Sequence, residues 1–380
     1  MIIDFNPTNK YMNLKDFKST KERREYIEKS LKIKLENISK AYVDDEKIIH
    51  CENLIGATIL PLGVAGPLKV NNNNYYVPLA TTEGALVASV SRGCKAINLS
   101  SGVTVFVENV GTTRGPVFET NGLTESMNLK KWLDENLKLL KAEAEKTSSY
   151  LKLKKLGTRM AGTYVYVRFY FETSEAMGMN MVTIATDSIN QLIERKTKVK
   201  CLSISGNFCI DKKPAWLNFL SGRGKRVWAE VILKKEVVKE VLKTTPEKFF
   251  DVWLGKCMIG SAMSGSLGFN SHFANIVAAF FAATGQDLAH VVEGSMGITT
   301  SKVLKNGDLY VSVYLPAVMI GTVGGGIKLK TKKEALSIIG AKNSIELAEV
   351  LGGAVLAGEI SLLASLAEGT LAYTHEKLGR

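Results

Sequence analysis

The chain has 380 residues, 46% of them hydrophobic and 23% charged, which excludes a disordered chain and leaves room for a sizeable core in two or more domains. Forty-nine basic residues against 37 acidic ones give a net charge of +12. The excess lysines are dispersed along helix-like segments such as 130–155 with no aromatic-interleaved basic run, so the charge predicts a solvated surface that attracts polyanionic small molecules such as nucleotides, and no nucleic-acid partner.

The five cysteines, Cys51, Cys94, Cys201, Cys209 and Cys257, are odd in number and lack CxxC spacing. That pattern argues against a disulfide framework and against a zinc site, and places the chain in a reducing compartment. Residues 1–7 show no basic region followed by an apolar core, so no secretory signal is expected. The longest uncharged stretch, 257–286, is laced with serine, glycine, asparagine and His272 and reads as buried core, not as a membrane span. A cytoplasmic protein without a membrane partner is the expectation.

In chain order, residues 19–40 carry apolar positions at Tyr26, Ile27, Leu31 and Leu35 and predict an amphipathic helix in a small N-terminal element, residues 1–51. Residues 52–67 are apolar, rich in glycine and proline, and nearly uncharged. They fit a buried, kinked connection or a loop whose glycines let a ligand approach the backbone. A turn at 71–74 leads to a short strand, 75–79, and then to a helix starting near Thr82 and ending at Gly93. Glu83 falls in the first turn of that predicted helix. The Thr81-to-Glu83 spacing is one short of a capping box, so local capping explains the acid poorly. A carboxylate at the head of an otherwise apolar helix is either paired or raised in pKa, and the second state suits a proton donor.

The periodicity changes between Val103 and Lys200. A strand at 103–110, a charged helix at about 126–146, a strand at 163–172, a helix opening at Ala176-Met-Gly-Met-Asn-Met181 and a strand at 199–205 give the order βαβαβ. An inserted α/β sandwich of ferredoxin-like kind follows. Gly178 and Asn180 can offer backbone N–H groups to a phosphate at that helix start, although a methionine-rich helix packed in a core fits the same residues.

The loop Ser203-Ile-Ser-Gly-Asn-Phe-Cys-Ile-Asp-Lys-Lys-Pro214 ends an apolar run and delivers Asp211, Lys212 and Lys213 just before a proline, hence on extended or turning backbone. A solvated hairpin tip would explain three charges. The apolar neighbours Phe208, Cys209, Ile210 and Trp216 favour a lysine held charged beside an aspartate, able to stabilise an oxyanion. Further on, Asp287 ends the uncharged stretch, and an acid emerging from such a core requires a partner. Gly321-Thr-Val-Gly-Gly-Gly326 is a glycine loop without GxGxxG spacing, so no Rossmann fingerprint is present. An apolar small-residue helix, 345–370, precedes Thr374-His375-Glu376, where His375 is either an incidental surface residue or a general acid.

Taken in order, Glu52-Asn-Leu-Ile-Gly56, Leu62-Gly-Val-Ala-Gly-Pro-Leu68, Thr81-Thr-Glu-Gly-Ala-Leu-Val-Ala-Ser89, Gly111-Thr-Thr-Arg-Gly-Pro116, Ala176-Met-Gly-Met-Asn-Met181, Asp211-Lys-Lys-Pro-Ala215, Gly285-Gln-Asp287 and Gly321–Gly326 resemble the 3-hydroxy-3-methylglutaryl-coenzyme A (HMG-CoA) reductases from Glu52 to His375. The Asp-Lys-Lys-Pro loop resembles class I members of soluble archaeal type. The resemblance implies an α+β fold: a large substrate-binding domain (52–115 and 216–380), an inserted small ferredoxin-like NAD(P)-binding domain (116–202) and a catalytic connecting loop (203–215). It implies reduction of the HMG-CoA thioester to mevalonate and free coenzyme A through mevaldehyde, with two NADPH, no metal, and a homodimer or dimer of dimers whose sites form across subunit contacts.

By the same resemblance, Lys212 would stabilise the oxyanion, Glu83 would protonate the aldehyde oxygen, Asp287 would couple the two, and His375 would protonate the departing thiolate. Arg114, Ser205, Asp211, Lys213 and Lys256 would hold the substrate carboxylate and coenzyme A, with His272 and Asn275 lining the pocket. Ser148, Ser149, Tyr150, Gly178, Met179, Asn180, Gly324, Gly325 and Gly326 would hold the dinucleotide. Two departures from the family pattern stand out: Glu175 where many members carry aspartate, and Ser148-Ser149-Tyr150 where an arginine would meet the 2′-phosphate. Lys152, Lys154 and Lys155 can supply charge but not a bidentate grip. Two rivals are an NAD-dependent enzyme of mevalonate breakdown and a non-catalytic binder of coenzyme A esters or nucleic acid.

Overall fold

The computed structural model describes Phe17, residues 20–36 and residues 58–369. Most of the predicted N-terminal element, residues 52–57 and His375 lie outside the described residues. Strands β1 (Leu62–Val70) and β2 (Asn73–Ala80) form an antiparallel hairpin across the 71–72 turn. Part of the predicted loop 52–67 is therefore strand, because Ala65, Leu68 and Val70 each find a buried place in the core.

The remaining strands are β3 (Thr104–Arg114), β4 (Val117–Glu119), β5 (Lys152–Ala161), β6 (Tyr164–Glu172), β7 (Lys200–Ser203), β8 (Gly224–Leu233), β9 (Gly268–Phe269), β10 (Gly297–Val303) and β11 (Leu309–Val318). They join one sheet in the order β7-β4-β6-β3-β8-β11-β10-β9, with β5 on the free side of β6. Strand β3 spans both halves. Its residues 104–111 pair with β8, and 112–114 pair with β6 after an irregularity between Asn109 and Gly111. Gly111 has φ +106° and an added Cβ would lie 2.7 Å from the Phe171 carbonyl oxygen, so only glycine allows this handover.

Two cores flank that handover. The larger packs the helix Ser344–Glu368 against β8, β11 and the helices Leu86–Leu99 and Phe273–Thr284, through Val90, Val227, Phe280, Leu351 and Val355. The 25-residue closing helix is apolar enough to cross a membrane, yet its apolar window is 78% buried inside the protein, as suits a central core helix. The smaller core gathers Phe118, Leu133, Val167, Phe169 and Ile189 between β4–β7 and the helices Leu123–Glu135, Leu137–Glu145 and Met179–Thr197. Its order is βαββαβ, with two consecutive helices in the first crossover and strands lying β5-β6-β4-β7, all antiparallel. The ferredoxin-like arrangement is present, but the predicted βαβαβ order is corrected twice: the unit opens with β4, not with the predicted strand 103–110, which pairs with β8, and β5 is added. The β5 lysines surround Leu153 and Leu156 across a register irregularity, so the strand pattern is broken and hidden by the charge.

A second correction concerns Glu83. The helix begins at Leu86 and continues through Gly93 to Leu99, with no acid in its first turn. Glu83 lies in the preceding turn, its N–H donating to Thr81 Oγ1 at 3.0 Å. Gly93 does not end the helix; it brings the helix against the closing helix, where a Cβ would lie 1.9 Å from the Ala357 carbonyl oxygen.

Candidate active site

The loop 203–214 is laid against the end of β3. Gly206 N–H donates to the Gly115 carbonyl, and Thr113 Oγ1 donates to the Cys209 carbonyl at 2.9 Å. Asn207, Ile210 and Lys212 all adopt positive φ, at +58°, +51° and +56°. A β-branched residue in that region costs on the order of 1–3 kcal/mol and persists only where its surroundings fix it. Here Asn218 Nδ2 donates to the Ile210 carbonyl at 2.9 Å, and Lys212 N–H donates to Glu293 Oε1 at 3.3 Å. The turn thereby aims Lys212 across to the end of the helix Phe273–Thr284.

There Lys212 Nζ meets Asp287 Oδ2 at 2.8 Å, both side chains being more than a third exposed. Asp287 begins a short 3-10 turn and also accepts the Ala289 N–H. Burial acts to raise its carboxyl pKa, but the Lys212 hydrogen bond, the Ala289 N–H and the charges of His290 and Lys212 outweigh it and hold the group below the ordinary aspartate value. An ionised aspartate beside a lysine ammonium is thus the resting state of this pair.

Behind the pair lies a fully buried guanidinium. Arg223 donates to Asp211 Oδ1 at 2.9 Å, to Thr113 Oγ1 at 3.0 Å and, very closely, to Glu293 Oε1, and it touches Met179 Sδ at 3.0 Å. Arg114 lies 3.7 Å from the other Asp211 oxygen. Ligand-type atoms of Asp211, His290 and Glu293 lie within 4.8 Å of one another, but Arg223 already bridges the two carboxylates and supplies the positive charge there. Lys213 Nζ donates back to the Asp211 carbonyl at 3.2 Å, and Ser205 Oγ lies 3.6 Å from Cys209 Sγ.

Two of the predicted dinucleotide segments, 178–180 and 324–326, lie beside this cluster. Gly178 precedes the helix Met179–Thr197 with φ +88° and no side-chain cap, leaving the first N–H groups of the helix open to an anion. Gly321 docks on residues 175–177, where a Cβ would lie 2.5 Å from Met177 N, and Gln286 clamps it with two hydrogen bonds of 3.0 and 3.1 Å. Gly326 touches Gly285, and Gly324 and Gly325, both at positive φ, have open space where a Cβ would be. Glu175 earns its extra methylene by reaching Ser344 N–H at the head of the closing helix, 2.5 Å away. Ser148, Ser149 and Tyr150 form the turn before β5, with Tyr150 69% exposed.

Other predicted residues are held elsewhere. His272 and Asn275 open the helix Phe273–Thr284, whose far end leads to Asp287; twelve residues of helix separate the two ends by about 18 Å. Both carboxylate oxygens of buried Glu359 fix this end, accepting Ser271 N–H and His272 N–H at 2.8 and 2.7 Å. Lys256 is exposed on a π-helical segment, Leu254–Gly260, and its neighbour Cys257 is pushed up to about 12 by burial and by the Glu359 charge. Among the described residues Glu83 makes no ion pair. Within one chain these predicted residues thus fall into two groups, Lys212 with Asp287 and His272 with Asn275.

Sequence reasoning missed Arg223, Gln286, His290, Glu293 and Glu359. Asp287, His290 and Glu293 follow one another at intervals of three, the spacing that stacks side chains on one face of a helical turn. Arg223 between two glycines carried no comparable sign.

Residues 19–380 match the family hydroxymethylglutaryl-coenzyme A reductase. A 3-hydroxy-3-methylglutaryl-coenzyme A reductase of Methanothermobacter thermautotrophicus is 50% identical over 368 residues, covering 94% of this chain and 92% of the relative. The enzyme so named in Methanocaldococcus jannaschii is 47% identical over 377 residues, covering 95% and 93%. Among solved structures, the class II reductase of Streptococcus pneumoniae bound to NADPH in open conformations superposes with a TM-score of 0.76 at 20% identity, over 93% of this chain and 98% of that one.

Proposed function

The chain belongs to the hydroxymethylglutaryl-coenzyme A reductase family and carries its activity, reduction of the HMG-CoA thioester to mevalonate and free coenzyme A, and from that premise we propose the roles its residues play. Two NADPH, bound in turn, would each supply one hydride, the first to the thioester carbonyl carbon and the second to the aldehyde. The open N–H groups behind Gly178 and the uncrowded Gly324 and Gly325 fit a pyrophosphate. The observation that carries the reading is the 2.8 Å contact between Lys212 and Asp287 at the meeting point of these segments.

Lys212 donates a hydrogen bond to the carbonyl oxygen as negative charge grows there, and Asp287 holds the ammonium in place. Glu83 gives the aldehyde oxygen its proton, and His375, which lies outside the described residues, protonates the leaving thiolate. Asp211, Lys213, Ser205 and Arg114 bind on the substrate side. Residues 116–202 form the dinucleotide-binding unit, and the Asp-Lys-Lys-Pro loop supports class I membership. We place the enzyme in the cytoplasm.

The cofactor preference rests on three lysines. Lys155 lies over the Tyr170 ring, 4.8 Å from its centroid, and the Lys154 ammonium donates to the Asn109 carbonyl. Exposed Lys152, just beyond Tyr150, is left to meet the 2′-phosphate. One charged hydrogen bond is worth about 1.5–3 kcal/mol, so NADPH should exceed NADH by roughly tenfold or more in kcat/KM. Absorbance of the nicotinamide band with HMG-CoA measures this, and faster turnover of NADH would favour the degradative rival instead.

The two separated groups support a homo-oligomer in which Lys212 and Asp287 of one subunit face Glu83, His272 and Asn275 of another. A row of aromatic rings supports it further: Phe106, Trp228, Tyr314, Phe219 and Trp216 follow one another at centroid spacings of 5.2–6.0 Å, flanked by exposed Leu220 and Ile232. Mixing inactive Lys212→Ala and Glu83→Gln subunits should restore activity, to about a quarter of wild type for randomly formed dimers in which one of two sites is intact. Sites built within one subunit would give no restoration.

A further inference from the structure

Three buried groups stand behind the Lys212–Asp287 pair without a place in the chemistry above: His290, Glu293 and Arg223. His290 is fully buried on the turn that Asp287 begins. Its Nδ1 lies 2.8 Å from Glu293 Oε1, an oxygen that also takes the Arg223 guanidinium. A carboxylate so bound can only accept, so the proton of that contact belongs to Nδ1. The other ring nitrogen, Nε2, is buried and without a hydrogen-bond partner among the described residues, and it points at Asp287 Oδ2 from 3.6 Å. With Nδ1 already protonated, a neutral ring would present a lone pair to a carboxylate oxygen. A protonated ring presents Nε2–H.

We propose that His290 is a positioning residue for the reduction: held as an imidazolium by Glu293, it faces Asp287 and keeps that carboxylate ionised and aimed at Lys212. The charged groups around the ring account for this choice. Asp287, Glu293 and, at 3.9 Å from Nδ1, Asp211 face it from three segments. Opposing them are Arg223, 3.4 Å from Nδ1, and Lys212 across the Asp287 carboxylate. Arg223 is committed to Asp211 and Glu293, which leaves Asp287 with Lys212 on its solvent side and the imidazole on its buried side. Lys212 must turn toward the substrate oxygen during the reaction. A second cation behind Asp287 prevents that carboxylate from taking up the proton of the ammonium when the solvent-side contact loosens.

The inference rests on Asp287 acting with Lys212, and its test separates the two. His290→Gln keeps an N–H donor toward Asp287 without the charge, and His290→Asn keeps a donor toward Glu293. Both should fold with the wild-type circular dichroism spectrum. In either variant the acidic limb of the kcat/KM profile should move up by about one pH unit, the effect of losing one opposite charge near a carboxylate, with activity lost mainly at low pH. A uniform loss at every pH, or no change, would overturn the proposal. A second measurement does not depend on turnover: the ¹⁵N signals of His290 at neutral pH should report both ring nitrogens protonated, and in Asp287→Asn the proton on Nε2 should be lost. A His290 with one ring nitrogen unprotonated at neutral pH in the wild type would sink the idea even if Asp287 proves essential.

Discussion

Lys212→Ala should lower kcat by about 10²–10³-fold with HMG-CoA, and equally with mevaldehyde, because removing one oxyanion donor costs that much and both hydride transfers place charge on the same oxygen. The contact that carries the expectation is the 2.8 Å pair with Asp287 at the end of the positive-φ turn. Stability should change little: the Lys212 side chain is 40% exposed, and a surface pair of this kind contributes on the order of 0–1 kcal/mol. Lys212→Arg should recover little of the loss, since the guanidinium is bulkier and its fork does not reproduce a point charge at the ammonium position. Steady-state assays with each substrate, beside a denaturation curve, test this. A variant that loses thioester reduction but keeps mevaldehyde reduction would remove Lys212 from the second step.

How much of this was legible in the sequence depended on range. The apolar flanks of Asp211–Lys213 and the lone charge after the uncharged stretch marked two segments that the fold brings together, because burial leaves its trace locally. The family motifs carried the rest of the site list. What the sequence hid was long-range: Arg223 reaches Thr113 across 110 positions and Glu293 across 70, and no local pattern encodes such a partner. Strand β5 was hidden for another reason. Lys152, Lys154 and Lys155 are all exposed across a register irregularity, so strict alternation is lost, and the charge on 152–155 reads as part of the helix-like segment 130–155. The helix start differs by four residues because Thr81 and Thr82 resemble a cap, whereas Ala85 is the residue that precedes the helix at Leu86 and leaves Glu83 outside it.

Arg223→Met should be the most destabilising single change at the site, by about 3–5 kcal/mol, because it strips the guanidinium from two carboxylates, Asp211 and buried Glu293, and leaves Glu293 with the His290 ring alone. Methionine keeps the apolar stem and drops the guanidinium head, so the loss is mainly of charge and hydrogen bonds. Two further effects follow from the geometry. Asp211 loses the 2.9 Å contact that orients the substrate-side loop, and Lys212 loses a fixed anchor as Glu293, to which its N–H is bonded, is freed to move. Activity should therefore fall even at temperatures where the variant is folded. Glu293→Gln in the same chain removes the stranded charge, so the double variant should be more stable than Arg223→Met alone by about 1–3 kcal/mol. Urea denaturation of the single and double variants measures both quantities. If the two changes simply add, the cost of Arg223→Met comes from Thr113 and Asp211, and the buried pair with Glu293 does not hold the loop in its strained turn.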